Sequence, residues 1–171
     1  MKEDVNKLIW VPSPEEIQRE KEWIAKEIEA IGLPQLENLA HSAAIARRRA
    51  YTPQSHYDVG AATLDIAGEE HSGQNIEITT FSETGHAEEQ SMKNAVGGGA
   101  VEKMGRGFVR AVAVSHEGDT SPCGRCRQIM EEFTAKNALV VVADPKGEIR
   151  RITSLRILLP DAFGPKNLGV K

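Results

Sequence analysis

The stretch FVRAVAVSHEGDTSPCGRCRQIMEEFTAKNALVVVAD, residues 108–144, sets the architecture. Residues 108–115 and 138–144 are short apolar runs, each the length of a strand buried on both faces. Between them, residues 123–135 form a helical segment entered through Ser121-Pro122, a cap and first-turn pair. Strands and helices in alternation, with strands too apolar to face water, call for helices layered on a sheet.

Working outward, Pro145-Lys146-Gly147 is a turn, 148–152 a further strand and 154–159 a closing helix. Toward the N-terminus, the texture of residues 57–65 (YDVGAATLD) and 71–78 (HSGQNIEI) reads as a β-hairpin. A helix over 85–96 follows it, and the glycines at 97–99 read as a flexible break. Earlier still, Ser13-Pro14-Glu15-Glu16 is a helix start with a capping box, and Ile17, Ile24, Ile28 and Ile31 mark one face before Gly32 and Pro34 stop the run. A second helix spans 35–50, with Leu36, Leu39, Ala40, Ala43 and Ala44 on its buried side. The expected fold is a three-layer α/β/α sandwich around a mixed five-stranded sheet, with residues 1–35 a helical extension on a single core at 36–171.

Composition bounds the function. A chain of 171 residues, 40% hydrophobic and 27% charged, is a globular domain of ordinary size. No run approaches the ~18 apolar residues of a membrane helix, so no membrane partner is expected. The start MKEDVNKLIW lacks the pattern of a secretory signal, which implies a cytoplasmic location. A net charge of -4 gives no basic footprint for a phosphate backbone, so no nucleic-acid partner is expected either. The cluster Arg47, Arg48 and Arg49 falls at a helix end, where cations complement the dipole. His41, His56, His71 and His86 recur every 15 residues, but their neighbours share no pattern.

The only two cysteines, Cys123 and Cys126, stand three apart at a helix start, where they share a face and the dipole favours thiolates. Alone, such a pair serves redox chemistry or half of a zinc ribbon equally well. A second segment, His86-Ala87-Glu88, also opens a helix, 37 positions before Cys123. Together they spell H-x-E…P-C-x-x-C, the signature of zinc-dependent nucleobase deaminases. An isolated histidine is more often a surface or core residue than a ligand; here His86 completes a three-ligand set with Cys123 and Cys126. Zinc held this way keeps a fourth position for water, which marks a catalytic rather than a structural site. Glu88, two residues beyond His86, is placed to carry protons as general base and then acid without ligating the metal.

Five segments extend the match in order: SHYDVGAA (55–62), GQNIE (73–77), GHAE (85–88), SPCGRCRQ (121–128) and LLPDAFGP (158–165). On these the chain resembles the cytidine deaminases over residues 36–168. The resemblance implies hydrolytic deamination of a small pyrimidine nucleoside with Zn²⁺ as cofactor. It further implies that Asn75 and Glu77 hold the sugar hydroxyls, that Tyr57 packs near the base, and that the Ala87 N–H meets the base carbonyl. Phe163 resembles the aromatic that family members extend into a neighbouring subunit's site. The short members' usual assembly implies a homotetramer, with a homodimer as the alternative.

Four departures from the family pattern stand out, and the last two bear on the substrate. Short members commonly have three cysteines at the metal and an arginine after the catalytic glutamate, whereas this chain has His86 and Glu89. The two swaps agree, since a neutral imidazole removes the charge the arginine would balance. Ile78-Thr79-Thr80 replaces small polar residues and alanine, and the helix starting near Ser13 is an addition. An N4-substituted cytidine or a nucleoside antibiotic such as blasticidin S is therefore the alternative substrate. A polynucleotide deaminase and a non-catalytic zinc or redox module are the remaining readings. Only eight aromatics, two Trp, two Tyr and four Phe, argue against the first; the open fourth position argues against the second.

Overall fold

The structure, a computed structural model, describes residues 11–169. Its elements are α1 (Pro14–Ile31), α2 (Leu33–Arg47), β1 (Gly60–Asp65), β2 (Glu70–Gln74), α3 (Ala87–Gly97), α4 (Ala100–Met104), β3 (Val109–Ser115), α5 (Gly124–Glu132), β4 (Leu139–Ala143), β5 (Ile149–Ser154) and α6 (Leu155–Leu158). Short 3-10 turns lie at Phe81–Glu83 and Pro165–Leu168. One mixed sheet runs in the order β2-β1-β3-β4-β5; only β3 and β4 are parallel, joined across the sheet face by α5.

Period-two alternation along the central strands divides the core into two layers. Ala111, Ala113, Leu139, Val141 and Ala143 face α2, where they meet Leu36, Leu39, Ala40 and Ala43. Val112 and Val140 face the other way, toward Met92 and Ala95 of α3, Ala100 of α4 and Met130 of α5. Both faces are covered, which is why β3 and β4 contain no solvent-facing polar alternation. This is the expected α/β/α sandwich.

The helices sit close to the sheet because two motif glycines let them. A Cβ on Gly60 would collide with the α2 backbone at Ala43 and Arg47, and one on Gly73 with the α3 backbone at Ser91 and Ala87. The glycines of the SHYDVGAA and GQNIE segments are thus packing residues.

Both antiparallel hairpins close with the same five-residue device, Asp-x-x-Gly-Glu, at 65–69 and 144–148. In each, the Asp side chain accepts the N–H groups two and four residues on: Ala67 and Glu69 at Asp65, Lys146 and Glu148 at Asp144. Gly68 and Gly147 both adopt φ 90, which a side chain would strain. Asp65 also accepts from His71 Nε2 at 3.0 Å.

These bonds set an acid limit to stability. Burial alone would raise the Asp65 carboxyl, but the His71, Glu69 and Ala67 donors outweigh it and hold it below its ordinary range. Asp144 behaves likewise, its desolvation outweighed by the Glu148 and Lys146 N–H groups. A carboxylate depressed in the folded chain stabilises above its unfolded pKa and loses that stability as pH falls through the folded one. The melting temperature should therefore stay level from pH 7 to about 5 and drop below about 4. Asp65→Asn should cost about 1 kcal/mol at pH 7 and make the acid drop shallower. A wild-type melting temperature unchanged down to pH 3 would contradict this.

Helix α1 begins as expected, with Ser13 Oγ accepting the Glu16 N–H and the Glu16 carboxylate accepting the Ser13 N–H. Trp23, Ile24, Ile28 and Ile31 pack against the α2-side core, and Glu27 pairs with Arg110 of β3 at 2.7 Å. Residues 1–10 of the extension lie outside the described residues.

Several boundaries differ from expectation. Residues 97–99 are not a flexible break: Gly99, at φ 86, caps α4, whose Ala100 is buried. β2 ends at Gln74 because the Asn75 side chain turns to the loop before β1. α5 stops at Glu132, where Thr134 bridges to Phe108. β5 runs on to Ser154 because Ser154 pairs with Leu139.

Candidate active site

The chemistry-bearing motifs converge at the carboxyl end of β3, where ligands sit in open α/β sheets. A cavity of about 350 Å³ there is lined by Ser55, Tyr57, Val59, Asn75, Glu77, Thr84, His86, Ala87, Glu88, Val114, His116, Thr120, Ser121, Pro122 and Cys123. A larger cavity, about 690 Å³, lies between the start of α1 and residues 156–167, and no histidine or cysteine lines it.

His86 caps α3 and Cys123 caps α5, with Cys126 one turn further on, so two helix N-termini point at one spot. His86 Nδ1 lies 3.5 Å from Cys123 Sγ and 3.3 Å from Cys126 Sγ, and the two sulfurs are 3.5 Å apart. Ordinary zinc bond lengths at a tetrahedral angle give edges of roughly 3.6 Å for N–S and roughly 3.8 Å for S–S. The triangle is within a few tenths of an ångström of that, and its donor set of two thiols and an imidazole is the one zinc takes. In the metal-free chain, burial, then the Glu88 charge and Cys123, push the Cys126 thiol well above its usual range. A divalent cation reverses that, because a coordinated thiol is deprotonated. The residues fit zinc: both cysteines are free, and among the described residues the cluster has three donors rather than the four of a structural site.

Glu88, in the first turn of α3, is buried at the cavity wall and close enough to Cys126 to act on its thiol. Its turn is tied to the sheet. Ser91 Oγ donates to the Glu88 carbonyl at 2.8 Å, and Thr63 of β1 lies 2.7 Å from Ser91 Oγ. Since the one Ser91 hydroxyl proton is committed to that carbonyl, Thr63 is the donor in the buried pair.

Glu89 does not face the metal. Its carboxylate pairs with Arg125, the residue between Gly124 and Cys126, at 2.8 Å and with Lys93 at 2.7 Å. Desolvation opposes its charge, but Lys93 and Arg125 outweigh that and hold its carboxyl below the ordinary range. Arg125 also donates to the Thr84 carbonyl, so the α3 and α5 entries are bridged.

The residues implied for the substrate divide. Glu77 accepts the Gln54 and Ser55 N–H groups on Oε2; the Ser55 hydroxyl, with these, holds its carboxyl below the ordinary range. Asn75 accepts from the Val59 N–H at 2.8 Å and donates to the Tyr57 carbonyl at 2.8 Å. Both side chains thus shape the 54–59 loop as well as lining the cavity. Ala87, first residue of α3, lines the cavity too, and its N–H belongs to the set no helical carbonyl can accept. Tyr57 forms part of the wall. Phe163 does not: it is 61% exposed, and only its carbonyl is engaged, by Gln128.

Sequence reasoning missed His116, Ser91, Thr63 and Arg125. None lies at a motif spacing that signals chemistry, except that Arg125 sits between the two cysteines. Among the described residues the other cluster of potential ligands is Asp65, Glu69 and His71, and there both Asp65 oxygens are already used by the hairpin turn.

The family described as "Cytidine and deoxycytidylate deaminase zinc-binding region" matches residues 33–142. A cytidine deaminase of Sporosarcina psychrophila is 38% identical over 135 residues, 78% of this chain and 95% of that protein. One of Sodalis glossinidius is 34% identical over 129 residues, and there the match spans 74% of this chain but only 37% of the longer protein. Among solved structures, cytidine deaminase from Burkholderia pseudomallei superposes with a TM-score of 0.66 at 35% identity, covering 74% of this chain and 97% of that one. That from Mycobacterium tuberculosis gives 0.57 at 34% identity, covering 74% and 94%. The matched range takes in the segments that carry His86, Glu88, Cys123 and Cys126, the sheet superposes on these solved structures, and the chain belongs to the zinc-dependent cytidine deaminase family.

Proposed function

We propose that the chain hydrolyses cytidine or deoxycytidine to the uridine product and ammonia. The observation that carries this is the cluster of His86, Cys123 and Cys126 beside Glu88 at the wall of one cavity. The relatives are described as cytidine deaminases, which favours cytidine over an N4-substituted or antibiotic substrate.

Zinc, when bound by His86, Cys123 and Cys126, supplies the Lewis acidity that makes water a nucleophile near neutral pH. Glu88 moves the protons. Its carboxylate takes one from the attacking water and gives it to the ring nitrogen beside the reacting carbon; it then takes the proton left on the added hydroxyl and hands it to the departing amine, so that the carbonyl forms as the C–N bond breaks. One water is consumed and one ammonia released. The Ala87 N–H orients the base through its carbonyl. Tyr57 flanks the ring. Asn75 and Glu77 receive the sugar hydroxyls with the capacity their loop bonds leave free: a second amide N–H on Asn75 and the carboxylate lone pairs of Glu77 that its loop donors do not use.

Residues 36–171 are the catalytic core and 1–35 an extension of it. The chain works as a homotetramer, or failing that a homodimer, in which the exposed Phe163, with Phe81 at 71% exposure, meets a neighbouring copy. A fully active monomer in sedimentation would overturn this. A reducing cytoplasm suits a site that needs both thiols free. No helix among the described residues is long and apolar enough to cross a membrane.

The test is ammonia release by zinc-replete protein from cytidine, deoxycytidine, cytosine and single-stranded DNA. Free cytosine leaves the sugar-binding groups unpaired, at about 1–3 kcal/mol for each neutral group, and should be a very poor substrate. A polynucleotide, esterified at both sugar ends and repelled by the net charge, should not react. Glu77→Ala should lower kcat/KM for cytidine while barely changing the residual rate on cytosine. Equal losses on both would assign Glu77 to the 54–59 loop alone, and efficient turnover of cytosine or DNA would overturn the nucleoside reading.

A further inference from the structure

We infer that His116 is a positioning residue that fixes Tyr57 in the substrate cavity and ties it to the loop feeding Cys123. The proposal rests on the function proposed above.

His116 follows β3 directly, lines the cavity and is only 4% exposed. Both ring nitrogens are engaged. Nε2 lies 2.9 Å from the Thr120 carbonyl oxygen, which can only accept, so Nε2 carries the hydrogen. The neutral ring then has a bare Nδ1, which accepts the Tyr57 hydroxyl proton at 2.9 Å. Tyr57 O–H, the imidazole and the Thr120 carbonyl form one directed chain, ending three residues before Cys123.

The surroundings keep this chain in place. A Cβ on Gly118 would stand 3.0 Å from the Tyr57 oxygen and 3.3 Å from His116 Nδ1, close enough to press on the pair, so the loop lies tightly over it. Arg150 holds the same loop by donating to the Glu117 and Gly118 carbonyls, and Arg47 holds it through the Glu117 carboxylate at 3.1 Å. Tyr57, by contrast, sits on the irregular segment before β1 and is 42% exposed. Its ring has one polar anchor, its hydroxyl on His116. Without it the ring is free to leave the wall, and a ring that confines the substrate equally in ground and transition states acts on KM rather than kcat.

The experiment is steady-state cytidine turnover by zinc-replete wild type, His116→Ala, Tyr57→Phe and the double variant, with zinc content and melting temperature measured on each. Each single change should raise KM about tenfold, the effect of one lost half-buried hydrogen bond, with kcat within about threefold and zinc content unchanged. The double variant should be no worse than the worse single, because both remove one interaction. His116→Asn, whose Oδ1 can stand near the Nδ1 position and accept the phenol proton, should recover most of the loss in the native background and none in the Tyr57→Phe background. Additive losses, an unaffected Tyr57→Phe, or a fall in kcat tracking zinc content would overturn the proposal while leaving the proposed function standing. Absence of cytidine turnover by the wild type would overturn both.

Discussion

Glu88→Gln is expected to lower kcat on cytidine by ~10²–10⁴-fold or more with zinc content unchanged. The substitution keeps the shape of a side chain that is buried in the first turn of α3 and tied to β1 through Ser91 and Thr63. It removes the ability to hold a proton between water, ring nitrogen and leaving group. An amide in place of the carboxylate also removes the charge that opposes the Cys126 thiolate, so metal affinity should not fall. KM should change far less than kcat, since proton transfer belongs to the transition state. Wild-type turnover by this variant would mean that another group carries the proton, and none of the other cavity-lining residues is a buried carboxylate beside the thiols.

The second large effect is expected at Cys126. Purified protein should carry about one zinc per chain, and Cys126→Ala should reduce this to near none against a chelator. Cys126 is 1% exposed, and without a metal its thiol is held protonated by burial, Glu88 and Cys123. Binding therefore releases a proton and should weaken as pH falls. Metal that binds only the folded chain stabilises it by mass action, so chelation should lower the wild-type melting temperature but not that of the variant. Full occupancy retained after Cys126→Ala would remove Cys126 from the ligand set.

The fold was legible where one face of an element is buried by a simple period. Val112 and Val140 alternate with Ala111, Ala113 and Val141, and these strands were found nearly to the residue. Ser13 and Glu16 cap α1 by bonds between neighbours three apart, which a sequence displays directly. The metal cluster was legible because His86, Cys123 and Cys126 each sit at a helix entry with spacing that zinc itself imposes.

What was hidden depends on contacts between distant segments. Gly99 looked like a break because a glycine run is ambiguous until one knows that Ala100 is buried behind α3. His116 had no partner in its own segment; Tyr57 lies 59 positions away. Glu89 was read for what it lacks, an arginine's charge, whereas its meaning lies in Arg125, 36 positions on. Asn75 and Glu77 were assigned to the sugar, and their bonds to the 54–59 loop became visible only with the backbone in place. The repeated Asp-x-x-Gly-Glu turn is present in the sequence, but five residues with two fixed contacts carry little weight before the hairpins are known.

One zinc held by His86, Cys123 and Cys126, with Glu88 beside it, is what we propose makes this chain a nucleoside deaminase. The measurement that tests it most directly is the rate of conversion of cytidine to uridine and ammonia by protein stripped of metal and then titrated with zinc. The rate should be negligible without zinc, rise linearly as zinc is added, and level off at about one zinc per chain. A rate independent of zinc, or no uridine at full occupancy, would contradict it.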